Sequence, residues 1–131
     1  MMVVAKAYLP TLLAGNIQAV LNAGTYRLFS NNYTPVVATM VLASLTQNTF
    51  PGYAAKTPVF AAPALNVVTG EMSAPALQWD CTGGVGENVY GYYALDAGGA
   101  LILAERSSFA PVLMTNGVSY IVVPYFSDIN Q

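Results

Sequence analysis

Apolar residues recur at helical spacing near the start of the chain. Leu9, Leu12, Leu13, Ile17, Val20 and Leu21 share one face, and Asn16, Gln18 and Asn22 fall off it. The pattern predicts a helix over 9–21, with Pro10 in its first turn and Gly24 just past its end. Its stripe either packs on the chain's own core or, as a helical arm over 1–24, docks Leu12, Leu13 and Ile17 on a neighbour. Residues 25–30 then read as a short strand, and Asn31-Asn32-Tyr33-Thr34-Pro35 as a turn cluster. Segment 36–45 fits a helical turn and a strand equally well. Phe50-Pro51-Gly52-Tyr53 is a turn flanked by aromatics, a device that pins a loop onto a core. Pro58, Pro63 and Pro75 exclude a helix or central strand from 53–76 and leave edge strands and irregular crossover there.

The second half is richer in strands. Residues 72–81 hold Leu77 and Trp79 in phase, and 87–95, 101–106 and 118–126 each read as one strand. Asp96-Ala97-Gly98-Gly99 forms the hairpin loop between the middle pair, where Gly98 and Gly99 supply the backbone freedom of a tight reversal. Pro124 places the end of the last strand at an edge. Short strands separated by turns predict a mainly β fold, a β-sandwich or jelly roll over 25–131 with one short N-terminal helix. Strand parity puts Val89, Tyr93 and Leu95 on one side and Asn88, Tyr90, Tyr92 and Ala94 on the other. In the last strand Ile121 and Val123 oppose Tyr120 and Val122. Both faces are apolar, so one fills a core and the other needs a cover, from the helix or from another subunit. The subunit reading makes Tyr90, Tyr92, Tyr120 and Val122 an interface.

Composition sharpens that reading. The chain has 131 residues, one domain's worth, with 55% hydrophobic and only 8% charged residues. Ordinary domains are about 25% charged, and charge is what keeps surfaces apart, so association is expected. No run of about 18 uninterrupted apolar residues exists to form a spanning helix. The first 24 residues make a poor signal peptide, with a single Lys and no clean apolar core. No membrane partner is therefore expected. A net charge of −2 with four basic residues also argues against nucleic acid. The charges are segregated: Lys6, Arg27 and Lys56 precede Glu71 with no acid among them, and six acids with Arg106 follow. Such a split either pairs charges within the one domain or gives neighbouring subunits complementary faces, which would set register more than affinity.

Catalytic chemistry is not legible. With no His, neither a serine nor Cys81 has its usual base, and a lone Cys forms no internal disulfide. Glu87, Asp96 and Glu105 surround one hairpin without converging on a cleft. Gly83, Gly84 and Gly86 lack the Lys-Ser/Thr pair of a phosphate loop. Neither an enzyme activity nor a cofactor or metal is expected. A glycan-binding, lectin-like module is the alternative, with Trp79, Tyr90, Tyr92 and Tyr93 as stacking surfaces and Asn88 as the nearby polar group.

The runs Tyr26-Arg27-Leu28-Phe29-Ser30-Asn31-Asn32-Tyr33-Thr34-Pro35, Leu45-Thr46 and Phe50-Pro51-Gly52-Tyr53-Ala54 resemble segments of small virion proteins of tailed bacteriophages. So do Val89-Tyr90-Gly91-Tyr92-Tyr93, the Asp96 loop and Ala104-Glu105-Arg106, and the resemblance extends in order over 25–125. It implies a structural component of a virion assembled in the bacterial host cytoplasm. Among such roles we expect a capsid decoration or cement subunit. It would be a homo-oligomer, a trimer by analogy with subunits on three-fold shell positions, in contact with the major capsid protein or another virion protein. A neck, tail or baseplate component is the runner-up.

Overall fold

The computed structural model describes residues 3–4, 17–60 and 72–126. In chain order its elements are β1 (Val3–Val4), α1 (Ile17–Ala23), β2 (Thr25–Phe29), a 3-10 turn (Leu42–Ser44), β3 (Met72–Ser73), β4 (Leu77–Asp80), β5 (Glu87–Val89), β6 (Gly91–Leu95), β7 (Leu101–Arg106), β8 (Val112–Met114), β9 (Ser119–Val122) and β10 (Tyr125–Phe126). The fold is mainly β, as expected: a sandwich-like arrangement of antiparallel sheets, with one short helix among the described residues. The helix expected over 9–21 is described from Ile17 onward; Leu12, Leu13 and most of the 1–24 arm lie outside the described residues. Gly24 follows it for a reason of space, because a Cβ there would run into the Leu95 carbonyl.

One sheet runs in the order β1-β7-β6-β2. Register places Tyr26, Leu28, Tyr92, Ala94, Leu103 and Glu105 on one face, and Arg27, Phe29, Tyr93 and Ala104 on the other. All five residues of β6 are buried, so both faces are covered within the chain. Over the first face lies the β4–β9 pair, which contributes Trp79, Tyr120 and Val122 to the same buried cluster. Tyr26 stacks on Tyr92 with ring centroids 5.5 Å apart and tilts against Phe60 at 6.4 Å. The Trp79 indole satisfies its N–H on the Ala54 carbonyl at 2.7 Å. On the second face Arg27 donates to Gln47 at 3.1 Å and bonds Tyr93, whose hydroxyl burial pushes up to about 12.

Irregular chain also guards the outer edge of β2. Tyr26 and Lys56 exchange backbone hydrogen bonds of 2.6 and 2.9 Å, Ser30 N donates to Thr46 O, and Asn48 N donates to Leu28 O. Covering an edge this way leaves it unable to template aggregation. The Phe50–Tyr53 turn behaves as the sequence predicts: Gly52 takes φ +90°, Tyr53 N donates to Phe50 O, and the Tyr53 hydroxyl accepts from Leu28 N at 3.2 Å.

Three expected strands are broken, and the first, 72–81, divides into β3 and β4, which pair with β10 and β9. Residues 87–95 divide at Tyr90, whose N–H donates to Phe29 O and whose carbonyl accepts from Ser107 N. Beyond that point the partner strand leaves through 107–111 and returns as β8, a strand the sequence did not suggest. Residues 118–126 divide at Val123-Pro124, where pairing passes from β4 to β3. Pro124 is buried there, and its carbonyl accepts from Ala74 N at 3.0 Å, so it marks a change of partner strand.

Glu87 fastens segment 48–50 to β5. Its carboxylate accepts from Asn48 Nδ2, from Thr49 N at 2.8 Å and from Thr49 Oγ1 at 3.1 Å. Burial alone would raise this carboxyl, but the bonds from Asn48, Thr49 and the Phe50 backbone outweigh it and hold its pKa below the ordinary 4.5. A depressed acid contributes stability that is complete above its unfolded value and is lost as pH falls through the folded one. Urea titrations at stepped pH should therefore show stability falling below pH 4.5, with that acid limb flattened in Glu87→Gln, which should be the less stable protein at neutral pH. Gly91 offers a second check. A Cβ there would strike the Glu105 carbonyl and the Phe29 ring, so Gly91→Ala should cost about 1–3 kcal/mol in the same titration.

Candidate interaction surface

Segment 36–45, left open between helix and strand, is two successive turns. Met40 N donates to Val36 O at 2.8 Å, and Ser44 N and Leu45 N donate to Val41 O and Leu42 O at 3.0 Å. These turns send Met40 and Leu45 inward and leave Val36, Val37, Val41 and Leu42 exposed, together with Ala38, Thr39 and Ala43. An apolar loop held outward needs anchors, and this one has them at its base. Asn31 donates from Nδ2 to Ser44 O and accepts from Thr46 N, both at 2.8 Å. Arg106 donates to Asn32 Oδ1 at 2.7 Å and to Tyr33 O at 3.1 Å, and its guanidinium lies 5.1 Å from the centre of the Tyr90 ring. Pro35 is buried beneath. The loop is thus ordered before it meets anything, which lowers the entropy cost of contact.

Further apolar side chains face outward elsewhere: Phe109 at 83% exposure, Leu113, Ile121 on the outer side of β9, and Val123 just past its end. Beside them on that side Ser119 and Gln78 both donate to Asp80 Oδ1, and these bonds hold the Asp80 carboxyl below its usual range.

Compared with protein-family models, curated proteins and solved structures, the chain finds no match.

Three of the seven residues expected at a subunit interface lie elsewhere, and Leu12 and Leu13 fall outside the described residues. Tyr92, Tyr120 and Val122 are buried in the core of the single chain, which withdraws them from any partner. The cover that strand parity demanded comes from the chain itself. Tyr90 is half-buried under Arg106, and of Ile17 only its place at the start of α1 is described. Of the residues expected in turns, Pro51 and Gly52 lie in the aromatic turn and Gly98 and Gly99 in the hairpin; Asn31 sits at a bend, and Asn32 and Pro35 lie in irregular chain at the loop base. There Asp96 Oδ1 accepts from Gly98 N and Ala100 N, and Gly99 takes φ +88°. The glycan-stacking alternative loses its platform, because Trp79 and Tyr93 are at most 2% exposed. Cys81 is buried, its thiol donating to Gly83 O at 3.1 Å. Among the described residues no three His, Cys, Asp or Glu side chains converge on a point that could hold a metal.

A cleft of about 190 Å³ opens between β7 and β9, lined by Tyr92, Glu105, Ser107, Ser108 and residues 120–123. The Tyr92 hydroxyl bonds the Glu105 carboxylate, and Ser107 bonds the Tyr120 hydroxyl. Burial first, and then the Glu105 charge, raise the pKa of Tyr26 and Tyr92, so both stay neutral phenols. Sequence parity placed Glu105 beside Arg106 on the hairpin and gave no sign of this cleft, which requires β9 to cross the sheet.

Removing the loop's clasp should loosen it locally. Asn31→Ala should cost about 1–2 kcal/mol and raise amide exchange across 36–46, with exchange in β6 unchanged; mass-detected hydrogen exchange reads both.

Proposed function

We propose that the chain is a structural subunit that works through protein–protein contact: an accessory decoration or cement subunit of a bacteriophage virion, self-associated and seated on the major capsid protein or a neighbouring virion protein. The observation that carries the reading is the anchored loop with Val36, Val37, Val41 and Leu42 turned to solvent. Solvent-facing apolar groups in a cluster mark contact sites, and a surface with 8% charged residues offers little to oppose contact. The segments between residues 25 and 125 that resemble phage virion proteins support the virion setting.

Magnitudes set the extent of the contact. Burying a fully exposed Val or Leu is worth roughly 1.5–3 kcal/mol, so four about half-exposed ones supply roughly 3–6 kcal/mol. Association costs about 4–15 kcal/mol before any affinity remains. The loop alone is too small, and the contact must also recruit apolar surface such as Phe109, Leu113, Ile121 and Val123.

Light scattering tests the self-association. The purified chain should be an oligomer, and the double variant Val37→Asp, Val41→Asp should dissociate it with an unchanged circular dichroism spectrum, since neither side chain is in the core. A monomer at about 1 mM, where a contact worth roughly 4 kcal/mol would still be half formed, overturns it. Density for the chain outside the main shell of an intact particle is the expected position; density in the neck or tail would reassign it.

A further inference from the structure

Resting on the self-association proposed above, we infer that the free edge of β9 pairs antiparallel with β9 of a second copy, across a two-fold axis at Ile121. The phase of the β4–β9 ladder leaves that edge open. A bulge sets the phase: Gly117 N donates to Cys81 O, and Cys81 N donates to Val118 O. Cys81 and Val118 are thus hydrogen-bonded across the pair, and alternation makes Trp79–Tyr120 and Leu77–Val122 the next two such pairs. The backbone N–H and C=O groups of Ser119, Ile121 and Val123 therefore point the other way, and among the described residues none bonds them. The preceding strand, β8, pairs with β5 instead. Space also lies beside the edge. The cleft of about 190 Å³ is lined by four consecutive residues, 120–123, whereas a cleft over one face of the strand would meet only alternate ones.

This edge carries none of the usual defences. Irregular chain covers the outer edge of β2, and on β4 Gly52 packs against the Asp80 carbonyl while Thr82 N donates to Pro51 O. Along 119–123 there is no Lys and no Pro, and Ile121 and Val123 are 57% and 63% exposed. An edge in that state is a template for another strand. The occupant is a second copy because the edge is complementary to itself. The bulge at 117–118 and Pro124 bracket five residues, 119–123. An antiparallel twin matches all their outward groups in one register only, with Ile121 against Ile121 and Ser119 against Val123. That register gathers Ile121 and Val123 of both copies into one apolar stripe on the outer face. It also keeps the Asp80 carboxylates apart. Asp80 lies across from Ser119, so strand spacing and rise put the two copies of it about 20 Å from each other. That is about twice the screening length in ordinary salt. The pairing is isologous and closes as a dimer.

The whole purified chain tests this. In the oligomer the amides of Ser119, Ile121 and Val123 should exchange about tenfold or more slower than after dilution to monomer, read residue by residue by NMR. Ile121→Lys sets like charges directly opposite and should raise the dissociation constant about tenfold or more, as should Ile121→Glu; mixing the two variants should restore the pairing. Ile121→Cys should be joined to its twin on oxidation with diamide, because paired residues lie about 5.5 Å apart at Cα. Ser119→Cys, displaced from its own twin along the strand, should not be, and the buried Cys81 should leave the unsubstituted chain unlinked. Edge amides that exchange equally fast in oligomer and monomer, or an oligomer indifferent to Ile121→Lys, overturn the inference and leave the loop reading standing. Protected edge amides in a Val37→Asp, Val41→Asp chain that remains dimeric uphold it and overturn the loop reading. Edge amides free in the pure chain and protected only in the particle give the edge to another virion protein, and the second copy falls.

Discussion

A strand buried on both faces needs two covers, and the burial of every residue in β6 is the constraint from which the rest of the structure follows. In many α/β folds helices supply both covers. This chain has one short helix among its described residues, so strands and irregular segments must do it. The β4–β9 pair closes one side with Trp79, Tyr120 and Val122, and Arg27, Gln47 and Tyr93 bond together on the other. Irregular backbone near a core brings polar groups with it, and each needs a partner. That is why Trp79 bonds Ala54, Tyr53 bonds Leu28, and Glu87 gathers the donors of Asn48 and Thr49. The close approach of Phe29 to β6 explains Gly91, a residue that would otherwise only weaken a strand.

Closing the core inside one chain also decides what is left outside. The aromatic residues that look like an adhesive surface in the sequence are used internally, and Tyr90 is half-covered by Arg106. What remains exposed is mostly aliphatic, Phe109 apart: the turn-borne valines and leucine of 36–42, Leu113 of β8, and Ile121 and Val123. Arg106 links the two levels. The same side chain leans on Tyr90 at the sheet and clamps Asn32 and Tyr33 at the loop base, so the exposed loop is anchored to the sheet.

Local chemistry was enough to read several elements. Short apolar and aromatic runs bounded by turn signals located β2, β4, β6 and β7, and parity assigned their residues to two faces. Asp96 with Gly98 and Gly99 specified a hairpin, and Phe50-Pro51-Gly52-Tyr53 a pinned turn, since those side chains and φ values act within a few residues. The mainly β class and the scarcity of charge follow from the sequence alone. Which strand meets which does not: β5 and β6 are contiguous in sequence yet take different partners, and Pro124 marks an exchange of partners where an edge was expected. Parity showed that Tyr92 and Tyr120 each needed cover without showing that they cover the same core. The exposure of Val36–Leu42 was equally hidden, because a run of apolar residues without a clear period reads the same whether it is buried or displayed. Only the long-range packing of β9 across the sheet, and of Asn31 and Arg106 around the loop base, settled which apolar groups the chain keeps and which it presents. Those contacts join residues from 13 to 74 positions apart, and no local pattern encodes them.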